Sequence, residues 1–309
     1  MSLLPCPGVT GPAERQRHAG KVALIAGASQ GGTGTGTAVR LAAEGATVAI
    51  CARSEQKMRQ TLAQVEAVGG RGVMFQCDLA DPAAGRATLV ARTEETLGPI
   101  DYLIYVAAYG PYAPFTELTL DQMQTAVEVN LKAPMLLCQQ VVTGLRARGR
   151  PGAIVTIGTK AAYPVVGPPF PDTPPSTAGS IYGPTKAALH RLTQSVASET
   201  YGQGISANVL SPQSAIGTPA LRAGGWIPED MFEPVETMVE AVLALIEGDP
   251  AETTGRDVLS IQLLHDLGRP VYDLTGRTLV EGWQPPDLPA YIARRARPFT
   301  LKPPSADRP

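Results

Sequence analysis

Short, continuously apolar runs alternate with stretches of helical periodicity along most of this 309-residue chain, and few folds accept that order. The apolar runs are Val22–Ala26, Thr47–Cys51, Val73–Cys77, Tyr102–Val106, Ala153–Ile157, Ser206–Leu210 and Asp257–Ile261. A strand that is apolar at every position is buried on both faces, which is how a parallel sheet covered by helices is built. The helical stretches between them are Thr37–Glu44, Glu55–Val68, Pro82–Leu97, Leu120–Leu145, Pro184–Tyr201 and Val235–Glu247, with Asp81-Pro82 as the expected start of the third. The pattern predicts an α/β fold: a doubly wound, mostly parallel sheet in three layers, forming a single domain. Residues 21–263 carry it, residues 1–20 form an N-terminal tail, and residues 264–309, where the rhythm fades, form a C-terminal extension. The segment 163–180 holds six prolines and two glycines and reads as an irregular loop.

The first run leads straight into Gly27-Ala-Ser-Gln-Gly-Gly-Thr-Gly-Thr-Gly36 and then a helix. Glycines allow a sharp turn and close backbone approach, and the N–H groups at a helix start attract a pyrophosphate. The literal G-x-G-x-x-G is absent, so context carries the reading: strand, glycine turn, helix, second strand. Gly27, Ser29, Gln30, Gly31 and Gly34 are the expected cofactor contacts in this loop. A carboxylate at the end of the second strand would hold a ribose 2′-hydroxyl, but the chain has Cys51-Ala-Arg-Ser54 there. Arg53 pairs with a phosphate through its planar fork and Ser54 donates a hydrogen bond, which favours NADP(H), with NAD(H) possible.

Tyr182 and Lys186 stand four apart at the start of a helix and project from one face. A phenol, with a pKa near about 10 when free, becomes a useful proton donor beside an ammonium that lowers it. Alone, such a pair is also an ordinary exposed helix pair. Its neighbours change the reading. Cys77-Asp78-Leu79, Val129-Asn130-Leu131, Tyr182-Gly-Pro-Thr-Lys-Ala-Ala-Leu189, Asn208-Val-Leu-Ser-Pro212 followed by Thr218-Pro219, and Thr254-Gly255 come in one order with the glycine loop. In that order the chain resembles the short-chain dehydrogenase/reductase family from about Lys21 to Leu263, a family with a Rossmann fold.

The resemblance implies that Tyr182 is the general acid or base. It implies that Lys186 lowers the tyrosine pKa and holds the nicotinamide ribose, and that Asn130 supports a water linking the lysine to solvent. Asp78 and Leu79 would meet the adenine, Ala107 the cofactor below the fourth strand, and Thr218 the nicotinamide amide. Thr159 falls at the family's catalytic serine position and keeps its hydroxyl; it serves equally as a strand-end cap. Four departures stand out: one extra residue in the glycine loop, Tyr105-Val-Ala-Ala108 in place of Asn-Asn-Ala-Gly, Thr159 itself, and Gln213 where the family has glycine. The gap from Thr159 to Tyr182 is lengthened by the proline-rich loop. With Trp226 and Met231, that loop is expected to give an apolar substrate pocket, although Trp226 suits simple packing as well.

Composition excludes other classes. A net charge of −2 offers no basic field for nucleic acid or an anionic membrane, and no apolar run nears the roughly 20 residues of a membrane helix. Cys6, Cys51, Cys77 and Cys138 lack metal or redox spacing and read as reduced residues of a cytoplasmic protein. Met1–Gly11 lacks the features of a signal peptide, and Arg294, Arg295 and Arg297 read as a solvated end. His18, His190 and His265 show no ligand spacing, so no metal is expected. The expected partner is a small carbonyl or alcohol substrate, within a homodimer or homotetramer as the resemblance implies. The leading function is an NADP-dependent interconversion of ketone or aldehyde and alcohol on a small-to-medium apolar substrate. The alternatives are a non-catalytic NADP-binding sensor or scaffold, and an enoyl (C=C) reductase on the same fold.

Overall fold

The computed structural model describes residues 11–29, 31–111, 113–164, 180–225 and 227–282. The apolar runs become strands β1 (Val22–Ala26), β2 (Thr47–Ala52), β3 (Arg71–Gln76), β4 (Tyr102–Tyr105), β5 (Gly152–Ile157) and β6 (Ile205–Ser211). A two-stranded ribbon pairs β7 (Ala215–Ile216) with β8 (Phe232–Glu233), and β9 (Asp257–Leu259) closes the main sheet. The helices are α1 (Thr33–Ala43), α2 (Glu55–Ala67), α3 (Leu89–Leu97), α4 (Leu120–Val127) and α5 (Ala133–Arg148). They continue with α6 (Tyr182–Thr200), α7 (Pro219–Gly224), α8 (Val235–Glu247) and α9 (Ser260–Asp266).

The main sheet has seven strands in the order β3-β2-β1-β4-β5-β6-β9, and every neighbouring pair is parallel. Side chains alternate across each strand, so β1 feeds both layers. Ala23 and Ile25 join the core under α1, α2 and α8, whereas Val22, Leu24 and Ala26 join the core under α3, α5 and α6. This is the expected three-layer, single-domain Rossmann fold. The chain reverses its winding between β1 and β4, and there the carboxyl ends of the strands open a crevice.

Several expected elements change. The helix expected from Pro82 begins only at Leu89: Asp81 caps a turn through the Ala83 N–H, and Gly85 takes a left-handed φ of 86° that breaks the run. The helix expected over Leu120–Leu145 is interrupted by a π turn at Glu128–Lys132. The last strand stops at Leu259, where the chain turns into α9. The first helix starts at Thr33 rather than Thr37, which places Gly34 and Gly36 inside it and shortens the glycine loop.

Residues 12–20 lie against the body of the protein. Arg17 clamps both oxygens of Glu44, and His18 is buried against Tyr102. Beyond α9, Arg269 pairs with Glu240 and Glu247, and the Asp273 carbonyl accepts from buried Arg40. The proline-rich segment between Pro164 and Ser180, Trp226, Cys6 and the arginines of the last stretch lie outside the described residues.

Candidate active site

The crevice begins at Gly27, whose N–H donates to the Cys51 carbonyl at 2.9 Å and whose φ is 102°. A Cβ there would stand 2.5 Å from the Ala107 nitrogen, and one on Gly34 would stand 2.3 Å from the Gly27 carbonyl oxygen. Strand end, β4 exit and first helical turn thus meet backbone to backbone. Gly32 caps α1 without any side-chain bond, leaving the helix start to face a ligand. Thr35 Oγ1 accepts the Gly31 N–H at 3.2 Å and steadies the loop. Ser29 is half-buried at its entry, and Gln30 lies outside the described residues.

Thr218 lies against this loop: its Cγ2 is 2.9 Å from where a Gly32 Cβ would stand. Its hydroxyl caps α7 by accepting from Leu221. Arg53 is exposed at the end of β2; its carbonyl accepts from Gln76, and its guanidinium has no hydrogen-bond or ion-pair partner among the described residues. Ser54 caps α2 through the Lys57 N–H and keeps its own proton to donate. Asp78 turns inward on the Ala80 N–H at 2.9 Å, and Leu79 is buried beside it. These residues fit a dinucleotide: a backbone cradle no Cβ could share, a helix start, and a cation where the second ribose of such a ligand would end.

Tyr182 opens α6, and its ring rests on Gly110, where a Cβ would come within 3.0 Å of Cδ2. Lys186, one turn later, is 1% exposed, yet its Nζ reaches the Ile157 carbonyl at 2.8 Å and lies 5.9 Å from the centre of the Tyr182 ring. Burial lowers the Lys186 pKa to about 7. Asn130 is buried in the π turn with its side chain fully engaged. Its Oδ1 accepts the Tyr109 N–H at 2.9 Å, while Nδ2 donates to the Tyr109 carbonyl at 2.7 Å and to Thr185 Oγ1 at 2.9 Å. It therefore ties the β4 exit to the Tyr182 helix. Thr159 caps the turn Lys160–Ala162, its hydroxyl accepting from Ala161 at 3.3 Å, and that hydroxyl still has a proton to give.

The two polar side chains missing from Tyr105–Ala108 are offset in part. Within the π turn Ala133 donates to Glu128, and Pro134 has no N–H for the carbonyls behind it. Buried Tyr105 donates its hydroxyl to the Val129 carbonyl at 2.5 Å and satisfies the group so stranded. Sequence reasoning missed this tyrosine, and it missed His190 and Asp257 beside Thr159. The one available signal was that His190 follows Lys186 at helical spacing. Among the described residues, His18, Glu44 and Glu247 come close enough to ligate a metal, but at the opposite end of the sheet. Arg17, Arg40 and Arg269 already neutralise both carboxylates. No described helix is long and apolar enough to cross a membrane.

Residues 21–223 match the sequence model of the short chain dehydrogenases. The chain belongs to the short-chain dehydrogenase family. It is 32% identical to mouse L-xylulose reductase over 250 residues, covering 77% of this chain and 93% of that protein. It is 28% identical to L-rhamnose 1-dehydrogenase (NAD(P)(+)) of a Sphingomonas species, covering 79% and 98%. A crystal structure of a short chain dehydrogenase from Burkholderia cenocepacia in complex with NADP superposes with a TM-score of 0.66 at 29% identity, covering 79% of this chain and 97% of that one. This short-chain dehydrogenase is accordingly an NAD(P)-dependent oxidoreductase acting on the alcohol/carbonyl pair. The non-catalytic alternative falls with that membership.

Proposed function

We propose that the protein is an NADP-dependent reductase or dehydrogenase that interconverts a small-to-medium ketone or aldehyde and its alcohol. Tyr182 exchanges the proton with the substrate oxygen, and Lys186 supports the charge on the phenol. The observation that carries this reading is the buried Lys186 amine, 5.9 Å from the centre of the Tyr182 ring and bonded to the Ile157 carbonyl at the carboxyl end of β5. The amine favours the ionised phenol while it carries its proton, and because burial lowers its pKa to about 7 that support fades as pH rises past neutral. The cofactor supplies or accepts the hydride. Gly27, Ser29, Gln30, Gly31, Gly34 and the α1 start would hold its pyrophosphate, Asp78 and Leu79 its adenine side, and Ala107, Lys186 and Thr218 its nicotinamide side. Arg53 and Ser54 would hold the 2′-phosphate, which is why NADP is preferred. Thr159 orients the carbonyl through its free hydroxyl proton, and Asn130 holds the β4 exit against α6.

The relatives that act on xylulose and rhamnose by name favour a second substrate class, hydroxylated sugars, over apolar ketones. Met231, expected in an apolar wall, is half-buried, and its carbonyl accepts from Ser214. A panel of sugars, ketones and alcohols followed by NADPH and NADH absorbance tests the reading. Turnover with NADPH exceeding turnover with NADH supports it; NADH preference, or reaction only at activated C=C bonds, overturns it. We place the enzyme in the cytoplasm, which suits its buried, unpaired Cys51, Cys77 and Cys138, and as a homodimer or homotetramer. Exposed Phe115, Leu120 and Met135 around α4 and α5 support such a contact, and light scattering measures it.

A further inference from the structure

His190 lies one turn beyond Lys186 and so shares the helix face of Tyr182 and Lys186. It is buried, and both ring nitrogens are engaged. Nδ1 stands 2.9 Å from Asp257 Oδ2, and Nε2 accepts the backbone N–H of Thr159 at 3.3 Å. Asp257 begins β9, the edge strand, and its other oxygen accepts the hydroxyl of Tyr163 at 2.9 Å. The Tyr163 ring stands edge-on to the imidazole, with 5.7 Å between centres. A carboxylate on one nitrogen and an amide donor on the other are satisfied together by the neutral ring carrying its proton on Nδ1.

The strand end is shaped to admit this ring. A Cβ on Gly158 would stand 2.2 Å from His190 Nε2 and 2.6 Å from Ser211 Oγ, so a side chain at 158 and an imidazole at 190 exclude each other. The ring therefore reaches past the end of β5 to the nitrogen of Thr159. Tyr163, Asp257 and His190 belong to three separate parts of the chain, and through His190 they reach the backbone of Thr159, whose hydroxyl is proposed to face the carbonyl together with that of Tyr182.

We propose that His190, oriented by Asp257, is a positioning residue that fixes the Thr159 backbone and thereby aims the Thr159 hydroxyl. This rests on the function proposed above. A misplacement of that hydroxyl by a fraction of an ångström to an ångström slows the chemical step by roughly 10- to 100-fold. The relay touches none of the glycine loop, so cofactor affinity stays the same.

The test compares wild type, His190→Leu, His190→Gln and Tyr182→Phe in the full chain. The readouts are kcat, KM, NADPH affinity by fluorescence, and amide hydrogen exchange of the peptide spanning 157–164. His190→Leu is expected to lower kcat by roughly 10- to 100-fold, leave NADPH affinity within about twofold, and speed exchange at 157–164. His190→Gln offers both a donor and an acceptor and should recover most of both losses. If His190→Leu does not fold, Asp257→Ala, which removes the anchor and leaves the ring, is read in its place. Wild-type exchange and kcat in His190→Leu overturn the proposal, as does a glutamine variant no better than leucine. Tyr182→Phe separates the two claims: if it retains turnover, the assignment of the proton donor fails, and the exchange data alone then judge the relay.

Discussion

Burial of the Lys186 amine has a consequence for stability that is separable from catalysis. The folded protein gives up this proton near pH 7, whereas the unfolded chain keeps it to about 10.5. Between those values unfolding takes up a proton, so stability rises with pH, and the penalty is full below about pH 7. Urea unfolding of wild type and Lys186→Met between pH 6.5 and 8.5 isolates this group, because the others cancel in the difference. Wild type should gain on the variant as pH rises, by at most about 1.4 kcal/mol per pH unit. A difference independent of pH would show the amine charged in the fold. Arg53 makes the second residue-scale prediction. Exposed and without a described partner, it should cost little stability when replaced by Ala. Arg53→Ala should weaken NADPH binding by about tenfold or more, the worth of one charge-assisted contact, and leave NADH unchanged. Fluorescence titration with both nucleotides decides it.

Elements meet at two places where little substitution is possible. Gly34→Ala would drive a methyl onto the Gly27 carbonyl oxygen, 2.3 Å away, and the atoms it would meet belong to backbone. It should lower the melting temperature and weaken NADPH together, measured by thermal unfolding with and without cofactor. Tyr105→Phe strands the Val129 carbonyl in the π turn, at a cost of about 1 to 3 kcal/mol in urea unfolding. The strands, the glycine turn and the helix bearing Tyr182 were legible in the sequence, because period and turn chemistry are local signals. The π turn was not, since Glu128–Lys132 lies in an unbroken helical pattern and only Pro134 hints at it. His190 and Asp257 were invisible for another reason: 67 positions separate them, and parallel crossovers bring them together. Thr159 was legible as a hydroxyl at a strand end, but its role in capping a turn emerged only from the local backbone.

At the scale of the molecule, the two ends of the described chain are bound to the body by charge. Arg40 is fully buried and reaches Glu44, Glu240 and the Asp273 carbonyl, while Arg17 and Arg269 continue the network to Glu247. The Glu247 carboxyl is held down to about 2 despite burial, by hydrogen bonds and charge from His18, Arg269 and Arg17. Arg40→Met should cost about 1 to 3 kcal/mol, because buried Glu44 and Glu240 each lose one of two guanidinium partners and keep Arg17 and Arg269. A loss below about 1 kcal/mol in urea unfolding would contradict that role. Such long-range ion pairs leave no periodic trace, which is why residues 12–20 and 269–273 read as tails. The network braces the sheet from the end opposite the crevice, so it should not alter the chemistry. The chemistry itself is tested most directly by the turnover of Tyr182→Phe at saturating NADPH, with the best carbonyl substrate from the panel. A rate reduced by about 100-fold or more with unchanged NADPH affinity is the expected result, and a rate within a few-fold of wild type would contradict Tyr182 as the proton donor.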